Sequence, residues 1–385
     1  MGGEVANKAE QRLVTSFGPA TSCANPSTLK LIQPVAASIA GFPSTRYYGS
    51  KRKLLPWIYS HLGPIRFESV LDAFGGTASV SLMFKAMRKS VTYHDGLRFN
   101  EDVGRAVLRD KPVLSRDAVE NLLGKVEPRH GTIAEQFSNV FFKDDENAWL
   151  DGFFSIFERD FLSAEDRSLL RYIIYQACLK KRPFNLFHRA NIHLRNNTQV
   201  SRSFGNASTW ERSFSHHAMQ AYDELAKFCS PWSSSCSILP SGNAEDIAPG
   251  YDLVYIDPPY ISKEERKNRD DYWRRYHFLE GLARYSEWED LIDRKSDIRL
   301  FPPPSWLTDW SRARSFKERL FSLIDTHRNS IVVLSYVSDA LPSETEIKAH
   351  FEDRFSQFSI HSCEYSSALS KMRKRELLFI GHPRT

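Results

Sequence analysis

From Glu68 to Phe74 the chain is apolar at its centre, and Gly75-Gly76 follows directly. A helix is predicted from Thr77 to Met87, and a second short strand from Ser90 to His94 ends at Asp95. Strand, tight turn, helix and parallel strand make a right-handed crossover whose helix must cover one face of a sheet. This unit predicts an α/β chain with a doubly wound, Rossmann-like sheet. Ligands of such sheets bind beyond the carboxyl ends of the strands, so Asp72, Gly75, Gly76 and Asp95 fall where chemistry is expected.

The strand pattern resumes late. Cys236–Leu239, Leu253–Ile256, Ile331–Tyr336 and Glu376–Gly381 complete the α/β signature. Between residues 105 and 235 it gives way to helical segments such as Asp160–Leu179 and Phe214–Phe228. The sheet is therefore expected to be split by an inserted, mainly helical domain. Ahead of it, Lys53–Leu62 reads as a helix with Pro56 in its first turn. Residues 1–40 are rich in Ala, Ser, Pro and Gly and read as a flexible leader.

Composition excludes several classes. With 41% apolar and 26% charged residues the chain can bury a core. Its 5 cysteines are scattered and lack metal-ligand spacing, which predicts reduced thiols in the cytoplasm and no metal. No apolar run approaches the ~20 residues of a membrane span, and Met1–Ala6 lacks the blocks of a signal peptide.

Charge is concentrated rather than spread. Lys180–Arg212 holds seven basic residues and one acid, a net of 7 − 1 = +6, against +5 for the whole chain. Asparagines and aromatics interleave with the cations, a mixture suited to phosphates and base edges. Lys181, Arg182, Arg189, Arg195 and Arg202 are the expected DNA contacts, with a hairpin predicted around Asn196-Asn197.

The sharpest motif is Asp257-Pro258-Pro259-Tyr260, directly after the strand Leu253–Ile256. Two prolines fix the turn and remove two backbone donors, leaving carbonyls as pure acceptors. An aspartate beside a proline-turn carbonyl suits an amino group with two hydrogens, such as the exocyclic amine of adenine or cytosine. Tyr260 offers a face for a flat ring. Together they describe a pocket for a flipped-out nucleobase. After Tyr260, the charged stretch Ile261–Asp271 is expected to be a loop that orders over substrate. The stripe Tyr272, Tyr276, Leu279 and Ala283 is expected to be core packing.

These motifs resemble those of the Dam-like DNA adenine methyltransferases, in their alpha motif order. Arg46–Leu55 is similar to the family's N-terminal cofactor motif, Val70–Val80 to its glycine-rich loop, and His94-Asp95 to its ribose-binding acid. Residues 331–336 and 367–378 are similar to its last strands. The resemblance implies S-adenosyl-L-methionine as cofactor, held by Tyr48, Lys51, Asp72, Phe74, Gly75, Gly76, Thr77, Ala78, Asp95, Asn243 and Asp257. Ala78 stands where the family often has glycine, which is harmless if its φ is negative. Asp257, Pro258, Pro259 and Tyr260 would be catalytic.

The implied organisation is a cofactor-binding half over 41–105, a target-recognition insertion over 106–235 and a catalytic half over 236–385. Double-stranded DNA is the implied partner, with no membrane and with room for a cognate restriction endonuclease. A cytosine-N4 enzyme and a DNA-binding protein without turnover are the alternatives.

Overall fold

The computed structural model describes residues 39–45, 47–159, 162–196, 207–229, 234–263, 271–366 and 373–384. The leader over 1–38, most of the charged loop after Tyr260, Ser367–Ser370 and Arg202 lie outside them.

Seven strands form one sheet: β1 Ser69–Asp72, β2 Ser90–Tyr93, β3 Cys236–Ile238, β4 Leu253–Ile256, β5 Ile331–Val337, β6 Gln357–Ser366 and β7 Arg373–His382. Their order is β3-β2-β1-β4-β5-β7-β6. The first five are mutually parallel, and β7 runs antiparallel to both β5 and β6. The doubly wound expectation holds, with an antiparallel edge that sequence reasoning only partly saw. β6 was missed because it is a half-exposed edge strand with polar residues at most positions.

All four residues of β4 are buried, as a strand covered on both faces requires. Alternation sends Val70, Leu253, Tyr255 and Val333 to one face and Leu71, Val254, Ile256 and Leu334 to the other, so two cores flank the sheet. The order also makes β1 and β4 neighbours although the paired residues Val70 and Leu253 lie 183 positions apart in the chain. Their junction is the switch point at which the chain turns from one half of the sheet to the other.

Every described element between β2 and β3 is helical. The helix Ala164–Lys180 starts later than expected because Ser163 and Asp166 close a capping box ahead of it. Buried Asp102, on Arg98–Val107, accepts bonds from Ser168 (2.7 Å) and Tyr175 (2.8 Å), fastening the two helices together. The helical lobe is not confined to the insertion. Phe278 and Trp288, from beyond the Asp-Pro-Pro-Tyr turn, pack on Phe137 with ring centroids 5.1 Å and 4.9 Å away. Tyr276, Leu279 and Ala283 are buried there as expected, whereas Tyr272 is only half-buried.

The basic segment departs most from expectation. Lys181, Arg182 and Arg195 are buried inside the lobe. Lys181 and Arg195 each pair with Glu146 at 2.7 Å. Burial pushes the Glu146 carboxyl up, but the two cations outweigh it and hold it below its ordinary value. Arg182 lies over the rings of Phe141 (4.6 Å) and Phe187 (5.5 Å) and donates to the carbonyls of Phe141, Leu186 and Arg189. Side chains sealed in this way cannot meet a phosphate, so these three are corrected from DNA contacts to internal struts. The predicted hairpin is likewise replaced, over its described part, by the helical turn His193–Asn196.

Breaking a buried ion pair strands its partner, at a cost of about 3–5 kcal/mol. Arg195→Ala is expected to lower stability by that order in urea unfolding, while the folded fraction keeps the salt dependence of DNA binding. A change in salt dependence with no loss of stability would return Arg195 to the surface.

Candidate active site

Three carboxylates mark the ends of three neighbouring strands: Asp72 closes β1, Asp95 follows β2, and Asp257 follows β4. Backbone bonds tie the loops beyond them together. His94 N–H donates to Asp72 O at 3.0 Å, Ala73 N–H to Tyr255 O at 3.0 Å, and Gly75 N–H to His94 O at 2.8 Å. A Cβ on Gly75 would lie 2.1 Å from the Tyr93 ring, so only glycine lets this turn close over β2.

The loops line one open cavity beyond the strand ends, concave and walled by aromatic rings and carboxylates as small-ligand sites are. Tyr48, Lys51, Asp72, Phe74, Gly75, Gly76, Thr77, Asp95, Asp257 and Pro259 all line it. Ala78, Asn243 and the buried Pro258 do not; Ser79, Val80, Gly242 and Ala244 line the wall beside the first two. Asn243 Oδ1 accepts instead from the Trp310 indole at 2.9 Å, holding Trp310 edge-on to Phe74. Ala78 has φ +58°, so the condition under which alanine would be harmless there is not met. An L-residue there costs about 1–2 kcal/mol, and its place at the head of the helix Ser79–Ala86 is held by tertiary packing.

Asp95 pins the glycine loop. Its Oδ2 accepts from Gly76 N–H at 2.9 Å, and its Oδ1 from Leu97 N–H (2.8 Å) and Asn100 Nδ2 (3.0 Å). Burial raises its carboxyl even so, against the pull of these donors.

Asp257 shares its Oδ1 between two donors, Lys51 Nζ at 2.8 Å and the Tyr260 hydroxyl at 2.9 Å. Lys51 also donates to the Tyr260 oxygen at 2.7 Å. Burial pushes the Asp257 carboxyl up, and Lys51 and Tyr260 work against that rise. Tyr260 differs from its expected role as a stacking face. Its ring is buried, edge-on to Tyr336 at 5.5 Å, and does not line the cavity. Flat faces come instead from half-buried Tyr48, Tyr272 and Trp306 on the cavity wall.

A basic patch flanks this mouth. His188 is lowered to about 4 by burial and by Arg189, Arg275, Arg274 and Arg182 around it. Arg189 and Arg274 are exposed, and the Arg275 guanidinium lies 3.8 Å over the Tyr48 ring. Phe184 stands 47% exposed on a turn where it and Asn185 are both left-handed (φ 61° and 58°). It is the most exposed large apolar side chain among the described residues. The sequence singles out neither Arg274 nor Arg275, and it offers Phe184 only as one of the aromatics interleaved in the basic segment. The adjacent pair Arg274-Arg275, just past the Asp-Pro-Pro-Tyr turn, was the available signal.

Asp72 is almost fully enclosed and accepts from the Ser81 hydroxyl at 2.6 Å. Burial raises its carboxyl to about 7; the Ser81 bond opposes the rise, and Asp257 and Asp95 add to it. The folded protein thus keeps a proton that the unfolded chain loses near pH 4, so this group's contribution to stability falls as pH rises from about 4 to 7. Asp72→Asn, which cannot ionise, is expected to gain roughly a few kcal/mol over wild type at pH 8 and less than half of that at pH 5. Urea unfolding at both values checks this; an equal difference at both would refute the raised carboxyl.

Among the described residues no helix is long and apolar enough to cross a membrane, and no group of three or more His, Cys, Asp or Glu is placed to hold a metal ion. Among curated proteins none matches the chain. The family model for D12 class N6 adenine-specific DNA methyltransferases matches residues 47–287, well over half of it. That span contains the aromatic and lysine motif, the glycine loop, Asp95, the helical insertion and the Asp-Pro-Pro-Tyr turn. It favours adenine N6 over cytosine N4 and turnover over binding alone, and methyltransferases of this kind draw on S-adenosylmethionine. The chain belongs to the D12 class N6 adenine-specific DNA methyltransferase family.

Proposed function

We propose that the protein is a site-specific DNA adenine-N6 methyltransferase that binds S-adenosylmethionine at the switch point and takes its target base flipped out of the duplex. The observation that carries this reading is the clustering of Asp72, Asp95, Asp257 and Lys51 on one cavity wall. Three acids and one base suit a cofactor whose sulfonium and ammonium outweigh its single carboxylate. Tyr48, Phe74 and the loop Gly75–Thr77 would hold it, with Asp95 toward the ribose and Lys51 toward the amino-acid end. Bound there, the cofactor supplies an electrophilic methyl group on sulfur.

The chain's own residues do the rest. Asp257 and the Pro258 carbonyl accept the two hydrogens of the adenine amine, which makes its nitrogen more tetrahedral and a better nucleophile. Asp257 also faces the positive charge that grows on that nitrogen, so preorganised acceptors and positioning carry the rate. Tyr260 acts through Asp257: its hydroxyl fixes the carboxylate, and its ring is a packed strut. The proton leaves to water after transfer.

DNA would dock on the patch of Arg189, Arg274 and Arg275 beside the cavity mouth. Phe184, held out on a rigid turn, suits an apolar wedge that fills the gap left by the flipped base. Such an enzyme would act in the cytoplasm, alone or beside a cognate restriction endonuclease.

Asp257→Ala is expected to cut transfer of labelled methyl from S-adenosylmethionine to duplex DNA by at least about a hundred- to a thousandfold, with DNA affinity nearly unchanged. Retained transfer would remove Asp257 from the chemistry. Arg189→Ala and Arg274→Ala should each reduce the slope of log affinity against log salt by about 0.9 per lost phosphate contact. Slopes equal to wild type would place the DNA elsewhere.

A further inference from the structure

The proposed reaction asks Asp257 to accept hydrogen from a base amine, yet its Oδ1 already accepts from two donors. Lys51 Nζ stands 2.8 Å from it and the Tyr260 hydroxyl 2.9 Å, and Lys51 closes the triangle by donating to Tyr260 at 2.7 Å. The Lys51 side chain is 5% exposed and that of Asp257 16%, so water screens this pair weakly. An ammonium nitrogen at 2.8 Å occupies the place in which an amine nitrogen would bond the same oxygen. It also neutralises the anion that must balance positive charge as the amine is methylated. A lysine fixed there opposes the reaction on both counts.

Lys51 has somewhere to go. Among the described residues lining the cavity it is the sole lysine or arginine, against Asp72, Asp95 and Asp257. The carboxylate at the amino-acid end of the cofactor is the anion that a lysine in this wall would attract. Gly49, two residues earlier, sits at φ +80° in the turn that leads into Lys51–Leu54. The side chain itself is long and unbranched, a flexible four-carbon stem between that turn and Nζ.

We propose that Lys51 is a latch: it occupies Asp257 Oδ1 and neutralises the carboxylate in the cofactor-free protein, and turns to the cofactor's carboxylate once the cavity is filled, opening that oxygen and its charge for the base. Resting on the cofactor reading above, the latch imposes an order. Adenine seats only after the methyl donor, so a flipped base is not held by an enzyme with nothing to transfer.

A double-mutant cycle in calorimetric binding of S-adenosylhomocysteine tests this without DNA or turnover. The full chain is compared as wild type, Lys51→Met, Asp257→Asn and the double substitution. Asp257→Asn releases Lys51 for the ligand carboxylate, so its effect on affinity should be more favourable by about tenfold when Lys51 is present than when it is replaced. With 5′-methylthioadenosine, which lacks the amino-acid end, that coupling should vanish. Additive effects with S-adenosylhomocysteine, or equal coupling with both ligands, would overturn the latch. Failure of the wild type to bind S-adenosylhomocysteine would instead overturn the cofactor reading. If Lys51→Met does not fold, Lys51→Gln keeps a donor beside Asp257 and takes its place in the cycle.

Discussion

Three acids are brought together in a low-dielectric wall because β2, β1 and β4 lie side by side and each ends at the same edge of the sheet. Such a cluster is costly when empty. Burial raises Asp72, Asp95 and Asp257 alike, and the groups repel one another across the switch point. The protein relieves each differently: Ser81 bonds Asp72, the glycine loop and Asn100 bond Asp95, and Lys51 pairs with Asp257. Stability is given up at this edge so that positive charge, on a cofactor or on a reacting nitrogen, is welcome there.

The helical lobe solves a separate problem. It holds exposed cations on a stable platform, and it does so by burying others. Glu146 holds Lys181 and Arg195, and Arg182 is sandwiched near Phe141 and Phe187. These contacts shape the segment that carries exposed Phe184 and Arg189. The tyrosines extend the platform toward the cavity: Tyr47 stacks on Tyr276 at 4.4 Å, and the Tyr276 hydroxyl accepts from Tyr48 N–H. The wall of the cavity and the face of the lobe are thus parts of one packed assembly.

Much of this was legible in the sequence where the signal is local. β4 is four apolar residues followed at once by Asp257, and β2 ends one residue before His94-Asp95, so strand ends and site coincide along the chain. What sequence could not show is whether a charge points inward. Arg195 and Arg189 look alike in a row of letters; one meets Glu146 from a distant helix and the other meets water. The pairing of Lys51 with Asp257 joins residues from opposite ends of the matched span, and no periodicity predicts it. Tyr260 misled for a similar reason: a tyrosine after a proline turn reads as a face, but packing on Tyr336 turns the ring inward and leaves only its hydroxyl to act. Ala78 misled because a left-handed alanine is a tertiary outcome that local preference argues against.

If this edge of the sheet delivers a methyl group to adenine N6 in a defined DNA site, the mark stays in the DNA and can be read there. Modification-sensitive long-read sequencing of DNA from cells expressing the chain, read against cells without it, reports base, atom and sequence together. Methylation at N6 of adenine within one recurring sequence is the predicted result. Methyl groups on cytosine N4, or DNA indistinguishable from the control, would contradict the account.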